Sequence, residues 1–189
     1  IKALARLFED NGVNVLSRRE PTTDGEYGQA LRQSAMGERF PVEKEAEYFL
    51  KDRQWNAENF TLPALNRGEW VFLDRYYLSS MAYQGARGLD PLEIQSRNES
   101  IAPRPDLVFL FDLSLEDSLK RIQGSRSGGA DSFEDVEMLQ RVKAIFDEME
   151  WPEIKRVDAS QTPDLVTQDL VRIINEMFPG SIQQATRTN

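Results

Sequence analysis

Val71-Phe72-Leu73-Asp74-Arg75-Tyr76, with Ser79-Ser80-Met81-Ala82-Tyr83-Gln84-Gly85 close behind it, decides the reading of this chain. An apolar run ends abruptly in an acid and a base, and small, hydroxyl and amide side chains come next. A short continuous hydrophobic run is the mark of a buried parallel strand. In open α/β sheets the ligand lies just beyond the carboxyl ends of such strands. Asp74 and Arg75 therefore fall where a phosphate and its metal would lie. A strand that merely ends in a solvated ion pair reads the same way, so the surrounding residues carry the argument.

Outward from this stretch, strands and helices alternate. Ile1, Leu4, Ala5, Leu7 and Phe8 share one helical face, which Asn11-Gly12 ends. Further strands are predicted over 13–17, 107–112 and Ile154–Asp158. Helices are predicted around Leu31, Arg32 and Met36, over 42–65 with Pro63 kinking the end, and over 79–86, 91–100, 115–123, 133–150 and 163–178. A glycine-rich segment covers 124–130, and 179–189 is a polar tail. This alternation implies βαβ units, with a parallel sheet between helical layers.

Composition narrows the chemistry. The 189 residues suit one domain with a real core. Acids outnumber bases by 32 to 23, a formal charge of −9, which argues against a nucleic-acid or anionic-membrane binder. With no Cys and no His, thiolate sites, His-based triads and the usual zinc ligands are excluded. The longest apolar runs are about five residues, as at 107–111, far short of a membrane span. No signal peptide is visible, and a soluble cytoplasmic protein is expected.

Phe49 and Arg53 stand four apart on a predicted helix, so they share a face. Such a pair can stack a nucleobase and bond its exocyclic oxygen, although a core Phe beside an exposed Arg has the same spacing. Arg19-Glu20-Pro21 closes a strand, and Pro21 keeps Glu20 extended, aiming it outward beyond the sheet edge. Glycines with Arg121 and Arg126 suit a loop that closes over a polyphosphate, or a plain flexible connector.

Together these pieces resemble the thymidylate kinases, a branch of the P-loop nucleoside monophosphate kinases. The resemblance runs from Ile1 to about Phe178. It rests on Arg-Glu-Pro at 19–21, Phe-Leu-Lys-Asp-Arg at 49–53, Asp-Arg-Tyr at 74–76, Ser-Ser-Met-Ala-Tyr-Gln-Gly at 79–85, Pro-Asp-Leu at 105–107 and Asp-Ala-Ser at 158–160. It implies a three-layer α/β fold of P-loop NTPase type, with 1–178 as one kinase domain and a lid at about 121–133. The implied reaction is transfer of the γ-phosphoryl of ATP to dTMP with Mg²⁺, and the implied assembly is a homodimer.

The resemblance also implies roles. Phe49 would stack on thymine and Arg53 would bond the base, with Ser79, Ser80 and Gln84 beside it. Glu20 and Pro21 would shape the deoxyribose end, and Tyr83 would exclude a ribose 2′-hydroxyl. Arg75, helped by Arg32, would grip the acceptor phosphate, and Asp74 would orient magnesium through water. Arg121 would lie against adenine with Ser160 in the same pocket, and Arg126 would be the lid cation.

Three departures stand out. The family's Gly-x-x-x-x-Gly-Lys-Ser/Thr loop does not occur in these residues, which open inside the helix that should follow it. The expectation is that about 15–20 residues precede Ile1 and carry that loop and the first, central strand. The lid reads Asp131-Ser132-Phe133-Glu134 where relatives often have Asp-Arg, and Thr22-Thr23-Asp24-Gly25 replaces a double glycine. The rival readings are a kinase for another deoxynucleotide or nucleoside, and a non-catalytic nucleotide-binding relative that begins at Ile1.

Overall fold

The structure, a computed structural model, describes residues 1–125 and 133–182. Helix α1 (Lys2–Asp10) leads into strand β1 (Val15–Arg19) and helix α2 (Glu26–Met36). Helix α3 (Val42–Asn56) runs through a π-helical turn (Ala57–Thr61) into the short α4 (Leu62–Asn66), and then comes β2 (Trp70–Asp74). Helices α5 (Tyr77–Gly85) and α6 (Pro91–Glu99) precede β3 (Val108–Asp112). Helices α7 (Leu115–Ser125) and α8 (Phe133–Asp147), strand β4 (Ile154–Asp158) and helix α9 (Pro163–Met177) complete the order.

All strand pairing is parallel. β1 lies on β2 from Val15↔Trp70 to Arg19↔Asp74, and β3 lies on β4 from Val108↔Ile154 to Asp112↔Asp158. The α/β alternation is as expected, but the described strands form two pairs and not one continuous sheet. Both pairs nevertheless serve one core. Trp70 and Phe72 of β2 and Phe109 of β3 pack against a cluster of Leu4, Phe8, Val157, Leu170, Ile173 and Ile174. Phe8 is fully buried, edge-on to Trp70 at 4.9 Å and Phe72 at 5.0 Å between ring centroids. A second core lies around α5, where Tyr77, Leu78, Met81 and Ala82 meet Ile94, Val142 and Met149.

Two boundaries differ from expectation for local reasons. β1 starts two residues late, because the Val13 amide still closes the end of α1 on the Phe8 carbonyl at 3.0 Å. Gly12, at φ +76°, supplies the left-handed residue that this turn needs. The long helix is interrupted before Pro63 and not at it. A proline has no N–H and crowds the carbonyl four residues back, and the π-helical turn just ahead of it absorbs that misfit. Among the described residues no helix is long and apolar enough to cross a membrane.

Candidate active site

A cleft opens where β2 ends and α5 begins, closed on its far side by α3. It is lined by eight of the residues singled out from sequence: Glu20, Phe49, Arg53, Arg75, Ser79, Ser80, Tyr83 and Gln84. Arg39, Glu45 and Tyr76 also line it, and none of these three carries a role in the sequence analysis.

Arg75 occupies the turn between β2 and α5 with φ +68°, the only left-handed non-glycine residue among those described. A branched or long side chain there costs roughly 1–3 kcal/mol of backbone strain, which surrounding structure must hold in place. The turn brings the guanidinium over the Tyr83 ring, with Cζ 5.0 Å from the centroid. The adjacent Asp74 pairs with Arg19 instead, and among the described residues no salt bridge claims Arg75.

Arg53 is not the exposed charge that the plainer sequence reading allows: it is 1% exposed, and part of its donor capacity is committed. Nε donates to Glu20 Oε2 at 2.8 Å, Nη1 to Asn98 Oδ1, and Nη2 to Ser80 Oγ at 3.3 Å. Its Cζ also lies 5.3 Å from the centroid of the Tyr76 ring. Glu20 corrects the expectation that it points outward: it turns in, 2% exposed, to pair with Arg53 and accept from Asn56 Nδ2 at 3.2 Å. An extended backbone before Pro21 fixes direction along the chain, but a buried guanidinium decides which way the carboxylate turns. Burial is the largest influence on Glu20 and raises its pKa, while Arg53 and Asn56 pull it down.

Arg32 and Pro21 lie outside the lining. Arg32 donates from Nε to the carbonyls of Pro21 and Thr22, each at 3.1 Å, and from Nη2 to Pro21 at 2.5 Å. It therefore braces the loop that carries Glu20. Asp52 fastens the same loop, accepting from the Thr22 amide at 2.8 Å and the Thr22 hydroxyl at 2.6 Å. Gly28 makes the close approach possible: a Cβ there would lie 2.4 Å from Thr22 backbone and side-chain oxygens. Asp74 is half-exposed at the end of β2, with its carboxylate 3.4 Å from Arg19 Nε.

Glu45 is the hub that sequence reasoning missed. Arg39 donates to it from Nε at 2.8 Å and Nη2 at 2.9 Å, Arg87 from Nη1 at 2.7 Å, and Gln84 from Nε2 at 2.7 Å. Burial pushes its pKa up, but these hydrogen bonds, led by Arg39, outweigh it and the net shift is downward. The one available signal was its place one helical turn before Phe49 on the same face.

Away from the cleft lining, Arg121 reaches the turn after β4, where Nη2 donates to the Ala159 carbonyl at 2.7 Å. Ser160 caps Asp158 there through its amide at 2.8 Å and hydroxyl at 2.6 Å. The structure thus joins the two pieces assigned to adenine. Tyr83 borders both the cleft and a second cavity along β3 and α8. Arg126 and most of the glycine-rich segment lie outside the described residues.

This arrangement of cations, aromatic rings and an amide beyond a parallel strand suits a nucleoside monophosphate. Comparison with known proteins agrees. The thymidylate kinase family profile matches residues 1–170. A thymidylate kinase of Desulfotalea psychrophila is 39% identical over 94% of this chain and 88% of its own length. One of Akkermansia muciniphila is 41% identical over 95% and 85%, and a probable thymidylate kinase of Archaeoglobus fulgidus is 38% identical over 93% and 87%. The chain belongs to the thymidylate kinase family.

Proposed function

We propose that the protein phosphorylates dTMP to dTDP with ATP as donor, and that the cleft beyond β2 holds the acceptor. The observation that carries this reading is Arg75, held in a strained left-handed turn in the same cleft as Phe49, Arg53 and Gln84. Phe49 stacks the base, a contact worth about 1–3 kcal/mol. Arg75 holds the 5′-phosphate, for which its planar fork is matched. Glu20 and Asn98 fix Arg53 so that its remaining donor capacity meets a base carbonyl without reorganising. Tyr83 stands beside Arg75, where its ring excludes a 2′-hydroxyl. Arg121 and the 158–160 turn border the adenine of the donor, and Arg126 is the cation assigned to the transferring phosphoryl group.

The residues also fit a magnesium ion. Among the described residues no three carboxylates gather into a cage, and Mg²⁺ favours one or two carboxylates, its own waters and phosphate oxygens. Asp74, half-exposed at the strand end, is the residue that would hold it through water. The ion would supply charge neutralisation for the transferring phosphoryl group. Assembly as a homodimer is part of the same proposal.

The test is phosphoryl transfer by the full-length protein from Mg-ATP to dTMP, dUMP, dCMP, dGMP or thymidine. dTMP should lead, with some use of dUMP because a single methyl is worth only about 1–3 kcal/mol. A preference for any other acceptor, or turnover of none, contradicts the proposal.

A further inference from the structure

A carboxylate only accepts hydrogen bonds, whereas a carboxamide has one accepting and one donating end. Gln84 Nε2 donates to Glu45 Oε1 at 2.7 Å, so its Oε1 must face away from Glu45. Glu45 cannot swing to release it, because Arg39 and Arg87 hold both carboxylate oxygens. Gln84 is 1% exposed and lines the cleft, and its Oε1 has no partner among the described residues. A buried acceptor without a donor is costly, and a ligand N–H removes that cost.

We propose that Glu45 is a positioning residue for base recognition: by taking the Nε2–H of Gln84, it turns Gln84 Oε1 toward the cleft as an acceptor for a ring N–H. The inference rests on the nucleotide reading above and deepens it. Thymine carries N3–H between two carbonyls, whereas cytosine carries a bare N3 lone pair at the same place. An acceptor facing that position binds the first ring and repels the second. The Ser80 hydroxyl can donate or accept and so cannot make the distinction alone. Glu45 thereby sets acceptor selectivity from one helical turn away from Phe49, touching no substrate itself.

The test is equilibrium binding of dTMP and dCMP to the full chain, by calorimetry and by displacement where binding is weak. In Glu45→Gln, the new amide can donate to Gln84 Oε1 and the Gln84 amide is free to reverse. The dCMP-to-dTMP ratio of dissociation constants should then fall about tenfold, the size of one lost hydrogen bond. Glu45→Asp keeps the charge between Arg39 and Arg87 but shortens the reach to Gln84, so the ratio should fall in the same direction. It carries the test if Glu45→Gln does not fold. Gln84→Met should lower the ratio by itself, and adding Glu45→Gln to it should lower it no further. General structural damage weakens both nucleotides alike, so an unchanged ratio in both Glu45 variants overturns the proposal, as does a further fall in the double variant. A wild type that binds no dTMP overturns the cleft reading itself, whereas normal wild-type binding with unchanged ratios overturns only the role of Glu45.

Discussion

In the proposed reading Arg75 and Phe49 divide the nucleotide between them, one at the phosphate and one at the base. The left-handed turn sends the Arg75 guanidinium over Tyr83 at the cleft. Arg75→Ala should therefore weaken dTMP binding by about 1.5–3 kcal/mol, the range for hydrogen bonds to a charged group. Thymidine, which lacks the phosphate, should bind this variant as it binds the wild type. Calorimetry with both ligands checks this, and equal losses for both would place Arg75 away from the phosphate. Phe49→Ala should weaken dTMP and thymidine alike, by about 1–3 kcal/mol. A loss confined to dTMP would contradict stacking.

At the scale of elements, α3 is the organiser. One helix supplies Glu45, Phe49, Asp52, Arg53 and Asn56, and these hold the 20–28 loop and the Gln84 amide and place the Phe49 ring in the cleft. Asp52→Ala would strand the amide and hydroxyl of Thr22 in a buried place. Each unsatisfied group costs about 1–3 kcal/mol, so urea denaturation should show a loss of that order or somewhat more. A loss under 0.5 kcal/mol, the size of a surface change, would show that the loop does not depend on α3. Glu45 gives the same element a pH signature. Its pKa lies below the ordinary 4.5, so its contribution is fully present above that value and is lost as pH falls through the folded-state pKa. The stability gap between wild type and Glu45→Gln should be flat above about pH 6 and shrink in acid, and a gap that widens in acid contradicts the network. The sequence made α3 legible through the Phe49–Arg53 spacing, but Arg39, Glu45 and Arg87 reach one another across chain separations of up to 42 residues, which no local pattern encodes. Glu20 misled for the same reason, since its direction is set by a guanidinium 33 residues away.

Across the whole molecule the chain is acidic, with a formal charge of −9, yet Arg39, Arg53 and Arg75 come together in the cleft beyond β2. The strand–helix alternation was most readable at β2 and β3, which are short apolar runs of the kind parallel strands use, and least at β4, where Lys155 and Arg156 interrupt the run. The pairing of β1 with β2 and of β3 with β4 was not, because register depends on contacts between distant segments. Both pairs meet in one core through Phe8, and Phe8→Ala should cost about 3–5 kcal/mol in denaturant unfolding. A cost near 1 kcal/mol would mean that the two strand pairs are not tied together there. The most direct test of the central claim is a crystal structure of this chain with dTMP bound. The account predicts the thymine ring against Phe49, its N3 facing Gln84, and its phosphate on the Arg75 guanidinium. A nucleotide lodged elsewhere, or one in this cleft with its phosphate turned away from Arg75, contradicts it.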